Sequence, residues 1–364
     1  MRFKRIFVED GARNYPLASA ILQKLPEVER QTIANFQELA NLEFKEGKRS
    51  LALMVKKGRA VKDFLPAGRP LRAPRMGRET GPGQKSARPC LPAGRKELYI
   101  FAAQGCPYDC HYCYLQAYSQ NPAPIIFVNT SDILKAVEEA IWKFRHQRPY
   151  FHAGELSDAL VFDPLTDFSK SLIDLFNHYP QATLELRTKS ARIANLLSTP
   201  HKQNIIPSWT FSPQEVVRLY ETGTPSLKLR INAARRCQEA GYLIGLRFDP
   251  IIRICGWQKA YEEMMEAITS ELDLERIESA VLGCFRYTRA LERIIRLRFP
   301  KDLLLLDEFV LTEDGKFKYF KPLRVQMYRY IIGLLRKRAP KLPVSLCMET
   351  AEVRPYGAQE LGGS

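Results

Sequence analysis

Short β-rich runs alternate with amphipathic helical segments along most of this 364-residue chain, and this alternation restricts its fold more than any other feature. Such a pattern predicts βα units that build a parallel sheet covered by helices. Six units are enough for an α/β fold of the partial (β/α)6 TIM barrel type, whose reactive face lies at the carboxyl ends of the strands. The six strands are predicted at residues 98–103, 150–153, 183–187, 205–211, 243–248 and 280–285.

The segments on either side of these units predict an extension and an appendage. Residues 1–97 are predicted to form an N-terminal extension, with helices at 16–25 and 29–44 followed by a basic linker. Residues 98–300 are the partial barrel. Residues 301–364 are predicted to contain a β-hairpin at 307–320, a helix at 323–337 and a strand at 344–348. No apolar run approaches a membrane span and no signal-peptide core is visible, so we expect a cytoplasmic protein, and a monomer.

Three cysteines follow the first predicted strand at C-x3-C-x2-C spacing: Cys106, Cys110 and Cys113. Three thiolates on a 4Fe-4S cluster leave one iron open, and a small molecule can bind there. A zinc knuckle is one alternative, but zinc sites take four ligands, usually as two C-x2-C pairs, and no second pair is present. A second alternative is that the three cysteines are unrelated buried thiols. The glycine, proline and aspartate of the loop disfavour it, because these residues are typical of turns rather than of a buried core.

The cysteine spacing resembles that of radical S-adenosylmethionine (SAM) enzymes, in which the open iron binds SAM and cleavage yields a 5′-deoxyadenosyl radical. Over residues 105–115, GCPYDCHYCYL, it looks like the spore photoproduct lyase family, which repairs a methylene-bridged thymine dimer in DNA. The resemblance implies a 4Fe-4S cluster and SAM as cofactors, a nucleic acid as partner, and an electron donor such as flavodoxin or ferredoxin. It continues through residues 151–158, 163–166, 187–189, 220–224, 240–242, 248–251, 256–257, 286–288 and 307–308.

The same resemblance implies that the three cysteines bind the cluster and that Ser157, Lys189 and Thr210 lie near SAM. Lys189 can meet the SAM carboxylate, and its alternative is an ordinary surface lysine. Ser157 and Thr210 offer hydroxyl groups but are equally compatible with turns or helix caps. Asp249 can accept a hydrogen bond from a ribose hydroxyl, or it only shapes the turn before a proline.

Two tyrosines and one carboxylate complete the predicted machinery. Tyr112 and Tyr114 match tyrosines that the family uses in radical transfer and near SAM; the alternative is that they only cover the cluster. Ala153, Gly154 and Glu155 approach the Gly-Gly-Glu pattern with which many radical SAM enzymes contact the SAM ammonium. Glu155 is therefore predicted to bind SAM through charge-assisted hydrogen bonds, with a structural salt bridge as the alternative.

Glu155 is also a departure from the family. Lesion-repairing members carry a cysteine at this position, and that cysteine gives a hydrogen atom to the product radical. A carboxylate cannot do so, because its O–H bond is much stronger than a thiol S–H bond. Cys255, after the fifth predicted strand, is the predicted replacement, with a buried structural thiol as the alternative. Cys284 is a less favoured candidate.

The net charge of +15 favours polyanionic partners. Twelve lysines and arginines lie between positions 56 and 96, a stretch suited to phosphate binding or, alternatively, a solvated linker. The predicted hairpin is shorter than in the family and carries Glu313 and Asp314 near the family's strand-gripping Arg-Tyr pair. Its remaining residues form a basic, aromatic ribbon that suits phosphate contact and base stacking, or that packs on the barrel: Lys316, Phe317, Lys318, Tyr319, Phe320 and Lys321.

Three functions follow from the sequence. The first is a radical SAM enzyme that repairs or modifies a base in nucleic acid, as the basic segments and the family resemblance imply. The second is a radical SAM enzyme that acts on a peptide or small metabolite, which the altered hairpin and Glu155 favour. The third is an iron–sulfur protein without enzymatic activity, which any reductive cleavage of SAM would exclude.

Overall fold

The computed structural model describes residues 3–64, 95–119, 121–349 and 353. Within these ranges the strands are β1 (Arg5–Glu9), β2 (Glu29–Ile33), β3 (Ser50–Met54), β4 (Val61–Asp63), β5 (Glu97–Ile100), β6 (Ala103–Gln104), β7 (Asp109–Cys110), β8 (Ile125–Phe127), β9 (Tyr150–Ala153), β10 (Thr183–Thr188), β11 (Ile205–Thr210), β12 (Glu221–Thr222), β13 (Ile244–Ile251), β14 (Ile277–Cys284), β15 (Arg286–Tyr287), β16 (Phe309–Leu311), β17 (Phe317–Tyr319) and β18 (Val344–Leu346).

The α-helices of the same ranges are α1 (Pro16–Lys24), α2 (Phe44–Gly47), α3 (Leu115–Tyr118), α4 (Thr130–Lys143), α5 (Asp163–Thr166), α6 (Phe168–Asn177), α7 (Ala194–Ser198), α8 (Gln214–Tyr220), α9 (Leu227–Glu239), α10 (Trp257–Glu271), α11 (Arg289–Arg298) and α12 (Lys321–Arg336). Short 3-10 helices lie at Asp10–Asn14, Phe36–Leu39, Arg145–Gln147 and Leu274–Arg276. In this described part of the chain, every helix is too short or too polar to cross a membrane.

The main sheet is eight-stranded, in the order β18-β14-β13-β11-β10-β9-β5-β4. Its six central strands lie in chain order, are parallel throughout and match the six predicted strands. At one edge β18 pairs in parallel with β14, and at the other β4 pairs antiparallel with β5. Because β4 and β18 do not pair with each other, the barrel is open, and the predicted partial barrel is confirmed.

Burial on both faces explains why the central strands read as apolar runs in the sequence. Every residue of β9 and of β11 is buried, as expected for a parallel sheet with helices on its outer face. Helices α9, α10 and α12 pack side by side on that face. Since the central strands are parallel, the loops that follow them all emerge at one edge, called the carboxyl edge below.

The helix predicted at residues 29–44 is wrong. Residues Glu29–Ile33 form β2, which pairs in parallel with β1 in a second sheet of order β2-β1-β3-β8-β6, the N-terminal sheet. Four of the five β2 residues are exposed, because β2 lies at the sheet edge and pairs with β1 alone. A polar edge strand lacks the apolar alternation that identifies strands in a sequence. The predicted helix at 16–25 is confirmed as α1.

The N-terminal sheet crosses the predicted division of the chain at residue 97. Strands β8 and β6 come from the barrel segment, yet β8 pairs in parallel with β3 and antiparallel with β6. The backbone N–H of Ala52 also donates to the Pro124 carbonyl at 2.8 Å. The predicted domain boundaries stay a prediction, but residues 52–54 of the predicted extension are joined to the barrel segment by backbone hydrogen bonds.

The predicted hairpin is confirmed as β16 and β17, with Gly315 in the turn at a φ of +75°. Its side chains follow the alternative that packs on the barrel. Tyr319 is buried against Phe309, and Lys318 is only 2% exposed, with its ammonium 3.1 Å from the Asp314 carboxylate. Lys318 and Tyr319 therefore cannot serve the predicted phosphate contact and base stacking. Phe320 is 47% exposed and stays available.

Most of the basic stretch between positions 56 and 96 lies outside the described residues, which stop at Phe64 and resume at Arg95. Two of its described members contact the same aromatic ring within the fold. The ammonium groups of Lys56 and Lys62 lie 4.6 and 4.9 Å from the centre of the Phe101 ring. The predicted binding of phosphates by this stretch stays a prediction.

Candidate functional site

The cysteine loop, residues 105–115, leaves the main sheet after β5 and is fixed by backbone hydrogen bonds on both sides. Gly105, at a φ of +73°, donates its N–H to the Leu156 carbonyl at 2.8 Å. Strand β7, which contains Cys110, pairs antiparallel with β12. Cys106 and Cys110 are buried and Cys113 is partly exposed. The loop is thus held at the carboxyl edge between segments that follow β9 and β11.

Side chains from distant parts of the chain hold the outer side of this loop. Arg298, at the end of α11, donates to the Asp109 carboxylate at 2.7 Å and also contacts the Gln116 side-chain oxygen. The Gln116 amide in turn donates to the carbonyls of Cys110, at 3.2 Å, and His111, at 2.9 Å. Since carbonyls near the cysteines have partners, the loop conformation is set by the protein itself.

The donor set of the loop fits a 4Fe-4S cluster. Burial raises the pKa of the Cys110 thiol to about 12, with the positive charge of Lys189 acting in the opposite direction. Such thiols stay protonated until a cationic metal binds and deprotonates them. Among the described residues, no three Cys, His, Asp or Glu side chains converge on a single metal ion. A cluster does not require that convergence, because each thiolate binds a different iron.

A chain of alternating charges lines the inner face of the barrel and ends at Glu155. Arg187 donates to Glu155 and to Glu185, both at 2.7 Å. His152 lies 2.6 Å and Arg247 lies 3.1 Å from Glu185. Burial raises the pKa of Glu185, but the two arginines outweigh it and hold the pKa well below its usual range. Glu155 thus forms the salt bridge that the sequence left as its alternative, and its binding of SAM stays a prediction.

The two predicted tyrosines connect the cysteine loop to the neighbouring strands. The Tyr114 hydroxyl donates to the Glu155 carbonyl and lies 3.4 Å from its carboxylate. Tyr112 is buried, its hydroxyl donates to the Glu221 carboxylate, and the Lys189 ammonium lies 5.6 Å from its ring centre. The structure therefore brings Tyr114 together with Glu155 and Tyr112 with Lys189.

Asp158 joins the loops that follow β9 and β10, a role that sequence reasoning missed. Its carboxylate accepts from the Thr188 hydroxyl and the Lys189 N–H, both at 2.7 Å, and from the Leu160 N–H at 3.0 Å. Next to it, the Ser157 hydroxyl is buried without a hydrogen-bond partner among the described residues. A buried hydroxyl normally has a partner, so this atom fits the predicted ligand contact better than a turn or a cap.

A buried ion pair between Arg230 and Glu221 supports the cysteine loop, because Glu221 belongs to β12, which pairs with β7 of the loop. Sequence reasoning also missed this pair. Both side chains are fully buried. Arg230 donates to the Glu221 carboxylate and, at 3.0 Å, to the carbonyl of Thr210, a predicted SAM residue at the end of β11. The sequence contained a signal, because Arg230 lies on the same helical face as the buried Leu227 and Ala234. An arginine on an apolar helix face needs a buried partner.

Asp249, the predicted ribose ligand, forms a two-point ion pair with Arg286, at 3.0 and 3.3 Å. Burial raises the pKa of Asp249, but the Arg286 charge outweighs it and holds the pKa below its ordinary value. The close approach requires Gly283, because a Cβ there would lie 2.7 Å from the Asp249 carboxyl carbon. The ribose contact stays a prediction.

The structure separates the thiols that could donate a hydrogen atom. Cys255 is exposed, so the alternative of a buried structural thiol is wrong. Cys284 is buried beside Tyr328, whose hydroxyl accepts its backbone N–H at 2.8 Å. Sequence reasoning missed Cys347, just beyond β18 at the carboxyl edge, whose sulfur lies 3.8 Å from an Arg286 nitrogen. Its position at the end of a strand parallel to β14 was the available signal.

A family model described as spore photoproduct lyase matches residues 92–330 of the chain. A spore photoproduct lyase from Geobacillus is 31% identical over 216 residues, which are 58% of this chain and 63% of that relative. The match thus spans less than two thirds of the Geobacillus protein. A spore photoproduct lyase from Clostridium acetobutylicum is 25% identical over 328 residues, or 87% of each chain.

Solved structures show the same fold. A spore photoproduct lyase mutant with dinucleoside spore photoproduct superposes with a TM-score of 0.78 at 23% identity, over 94% of this chain and 99% of the other. A second spore photoproduct lyase mutant, with bound AdoMet and the same dinucleoside, superposes with a TM-score of 0.76 at 22% identity, over 94% of this chain and 98% of the other.

Replacing Glu221 by Gln tests whether the buried ion pair supports the site. We expect Glu221→Gln to lower the free energy of unfolding by about 3–5 kcal/mol at pH 7, because Arg230 keeps a buried charge without its partner. Burial raises the pKa of Glu221, but Arg230 and Lys189 outweigh it and lower the pKa below its ordinary value. Denaturant unfolding of the metal-free protein measures the change.

The acid dependence gives a second readout of the same pair. A carboxyl with a lowered folded pKa contributes stability above its unfolded pKa of about 4.3, and this is lost as the pH falls through the folded value. Wild-type protein should therefore lose more stability than Glu221→Gln on acidification below about pH 4.3. Glu215→Gln, which breaks the exposed pair with Arg218, is the matched control and should stay much closer to wild type, because an exposed ion pair contributes little to stability. Equal acid slopes for wild type and Glu221→Gln would contradict the interpretation.

Proposed function

Because the chain belongs to the spore photoproduct lyase family, we propose that it is a radical SAM enzyme that acts on a base in nucleic acid. The observation that carries the proposal is the three-cysteine loop held at the carboxyl edge of a partial barrel. When bound, the cluster and SAM would supply one-electron reductive cleavage that yields a deoxyadenosyl radical. An electron carrier such as flavodoxin or ferredoxin is the proposed reductant.

Different residues around the cysteine loop would bind the cluster and SAM. Cys106, Cys110 and Cys113 would hold the cluster. The remaining proposed SAM contacts lie at or near the carboxyl ends of strands, and their chemistry is complementary to SAM. The Lys189 ammonium suits the carboxylate of SAM, and the unpaired Ser157 hydroxyl suits a polar atom of it. Glu155, Thr210 and Asp249 complete the proposed set, and Tyr112 and Tyr114, which flank Cys113, are the proposed residues for radical transfer near SAM.

Charge around the barrel mouth supports a nucleic-acid substrate. Helix α11 begins directly after β15, at the carboxyl edge, and exposes Arg289, Arg293 and Arg296 to solvent. Arginines along one exposed helix suit phosphate contacts. These arginines, rather than the buried Lys318, are the described basic residues that we assign to the backbone of a bound strand.

Salt dependence tests the nucleic-acid assignment. We expect affinity for DNA to fall about tenfold between 50 and 200 mM salt if only two phosphates are neutralised, and more if others contribute. The double substitution Arg289→Ala and Arg293→Ala should reduce the slope of log K against log salt by about 2. Lys135→Ala with Lys143→Ala, on α4, removes the same charge and should leave the slope unchanged. Salt-independent affinity for both DNA and RNA would exclude the assignment.

Reaction with defined substrates tests the activity. After anaerobic reconstitution with iron, sulfide, SAM and dithionite, we expect nucleic acid to stimulate formation of 5′-deoxyadenosine. Ultraviolet-irradiated DNA containing spore photoproduct, intact DNA and RNA are compared in parallel, and deuterium transfer into deoxyadenosine identifies the attacked base. Cys110→Ala is the control without a complete cluster loop. Cleavage that no nucleic acid stimulates would favour a peptide or small metabolite, and absence of cleavage would leave an iron–sulfur protein.

The second candidate, a peptide or small metabolite, has its own support. Glu155 replaces the hydrogen-donating cysteine of lesion-repairing relatives, and the aromatic residues of the hairpin are largely used in packing. The first candidate, repair of a base in nucleic acid, requires a thiol at another position to donate the hydrogen atom. Cys347 lies beside the ion pair of Arg286 and Asp249 at the carboxyl edge, whereas Cys255 lies on an exposed loop beyond β13. The geometry favours Cys347 over Cys255 as the donor.

Substituting Cys347 and Cys255 in turn tests which of the two thiols donates the hydrogen atom. The donor would pass a hydrogen atom from sulfur to the carbon radical, and an electron and a proton from the reductant and solvent would restore the thiol. In D2O we expect wild type to place one deuterium in the repaired product, because thiol hydrogen exchanges with solvent. Cys347→Ala should lose this label while still forming deoxyadenosine, and Cys255→Ala should keep it. A label that persists in Cys347→Ala would exclude Cys347.

A further inference from the structure

Lys48, in the N-terminal part of the chain, reaches the cysteine loop across 58 positions of sequence. Its ammonium donates to the carbonyl of Cys106 at 2.8 Å and to that of Tyr108 at 2.9 Å. The Asp109 carboxylate lies 3.9 Å away, and the Lys48 side chain is only 14% exposed. A lysine that is largely buried and directed at backbone oxygens next to a metal-binding cysteine is more than a solvated surface charge.

The N-terminal sheet holds Lys48 in this position. Lys48 follows α2 and precedes β3, and its N–H donates to the Phe44 carbonyl at 3.0 Å. The preceding residue, Gly47, packs so closely on Pro122 that a Cβ there would lie 2.6 Å from the proline Cβ. Phe44 itself lies under the Arg298 guanidinium, at 4.6 Å. The segment that carries Lys48 is therefore fixed against both the loop and the end of α11.

Two consequences follow from the chemistry of this contact. Bridging the carbonyls of Cys106 and Tyr108 fixes the loop around its first cysteine, before any iron is present. A positive charge in a poorly hydrated site also stabilises negative charge nearby, and a cluster gains negative charge when it is reduced. Hydrogen bonds and charges around a cluster are among the levers by which proteins set its reduction potential.

We propose that Lys48 is a positioning residue for the iron–sulfur cluster, which shapes the cysteine loop and raises the reduction potential of the bound cluster. This rests on the proposed function only in that the loop binds a 4Fe-4S cluster. The N-terminal sheet is then part of the cluster site, and the one-electron step depends on a residue outside the six βα units. A lysine with a purely structural role would affect folding or iron binding but not the potential.

Two neutral variants separate position from charge. Lys48→Gln keeps a hydrogen-bond donor and loses the charge, while Lys48→Met loses both. We expect Lys48→Met to bind iron with about tenfold lower apparent affinity, as for other residues that orient metal ligands. Lys48→Gln should bind more iron than Lys48→Met, and its cluster should have a more negative midpoint potential than wild type. Iron content after anaerobic reconstitution and EPR-monitored redox titration without SAM provide the two readouts.

Controls keep the result interpretable. Lys45→Met removes the same charge from the exposed face of α2 and should match wild type in both readouts. Lys48→Arg should keep both iron binding and the potential. A wild-type potential in the Lys48→Gln cluster would overturn the proposal, whatever its iron content. If wild-type protein itself binds no cluster under these conditions, the proposed function fails, and this outcome is distinct from a failure specific to Lys48.

Discussion

Pairing of buried charges is the constraint on which this barrel depends. An isolated charge in the interior of a protein costs several kcal/mol, and the inner face of this sheet carries several of them. Glu185 is acceptable there because Arg187 and Arg247 flank it, and Arg187 in turn pairs with Glu155. Each charge fixes the position of the next, so the inner face is a connected network in which every member depends on its neighbours.

The same constraint explains the change at Glu155. A thiol at this position would need no partner, whereas a carboxylate requires a cation. Arg187 supplies it from the adjacent strand, at 2.7 Å. If SAM binds with its ammonium near Glu155, the carboxylate must share its charge between SAM and Arg187. In the proposed repair reaction, a hydrogen donor at another position would approach the substrate from another strand, and Cys347, just beyond the carboxyl end of β18, is the thiol assigned to that role above.

Local sequence patterns made the barrel strands and the cluster cysteines predictable. The contacts between residues far apart in the sequence could not be predicted in this way. The six central strands were found because burial on both faces forces continuous apolar runs, as in β11. Strand β2 was missed because a polar edge strand carries no such pattern. The partners of site residues were harder still. Lys48 and Asp109 lie far apart in sequence, and nothing in the residues around either one indicates that the fold brings them together.

The position of the N-terminal sheet also bears on how the site forms. Strand β8 lies between the cysteine loop and α4 in the chain but pairs with β3, which begins at Ser50, two residues after Lys48. Docking β3 onto β8 therefore brings Lys48 towards the loop at the same time as it completes the sheet. A loop that binds a cluster through three thiols gains from being shaped in advance, because ordering it on binding would subtract from the affinity. If the loop binds the proposed cluster, coupling the two events places the entropy cost of ordering the loop in the folding of the sheet rather than in the binding of iron.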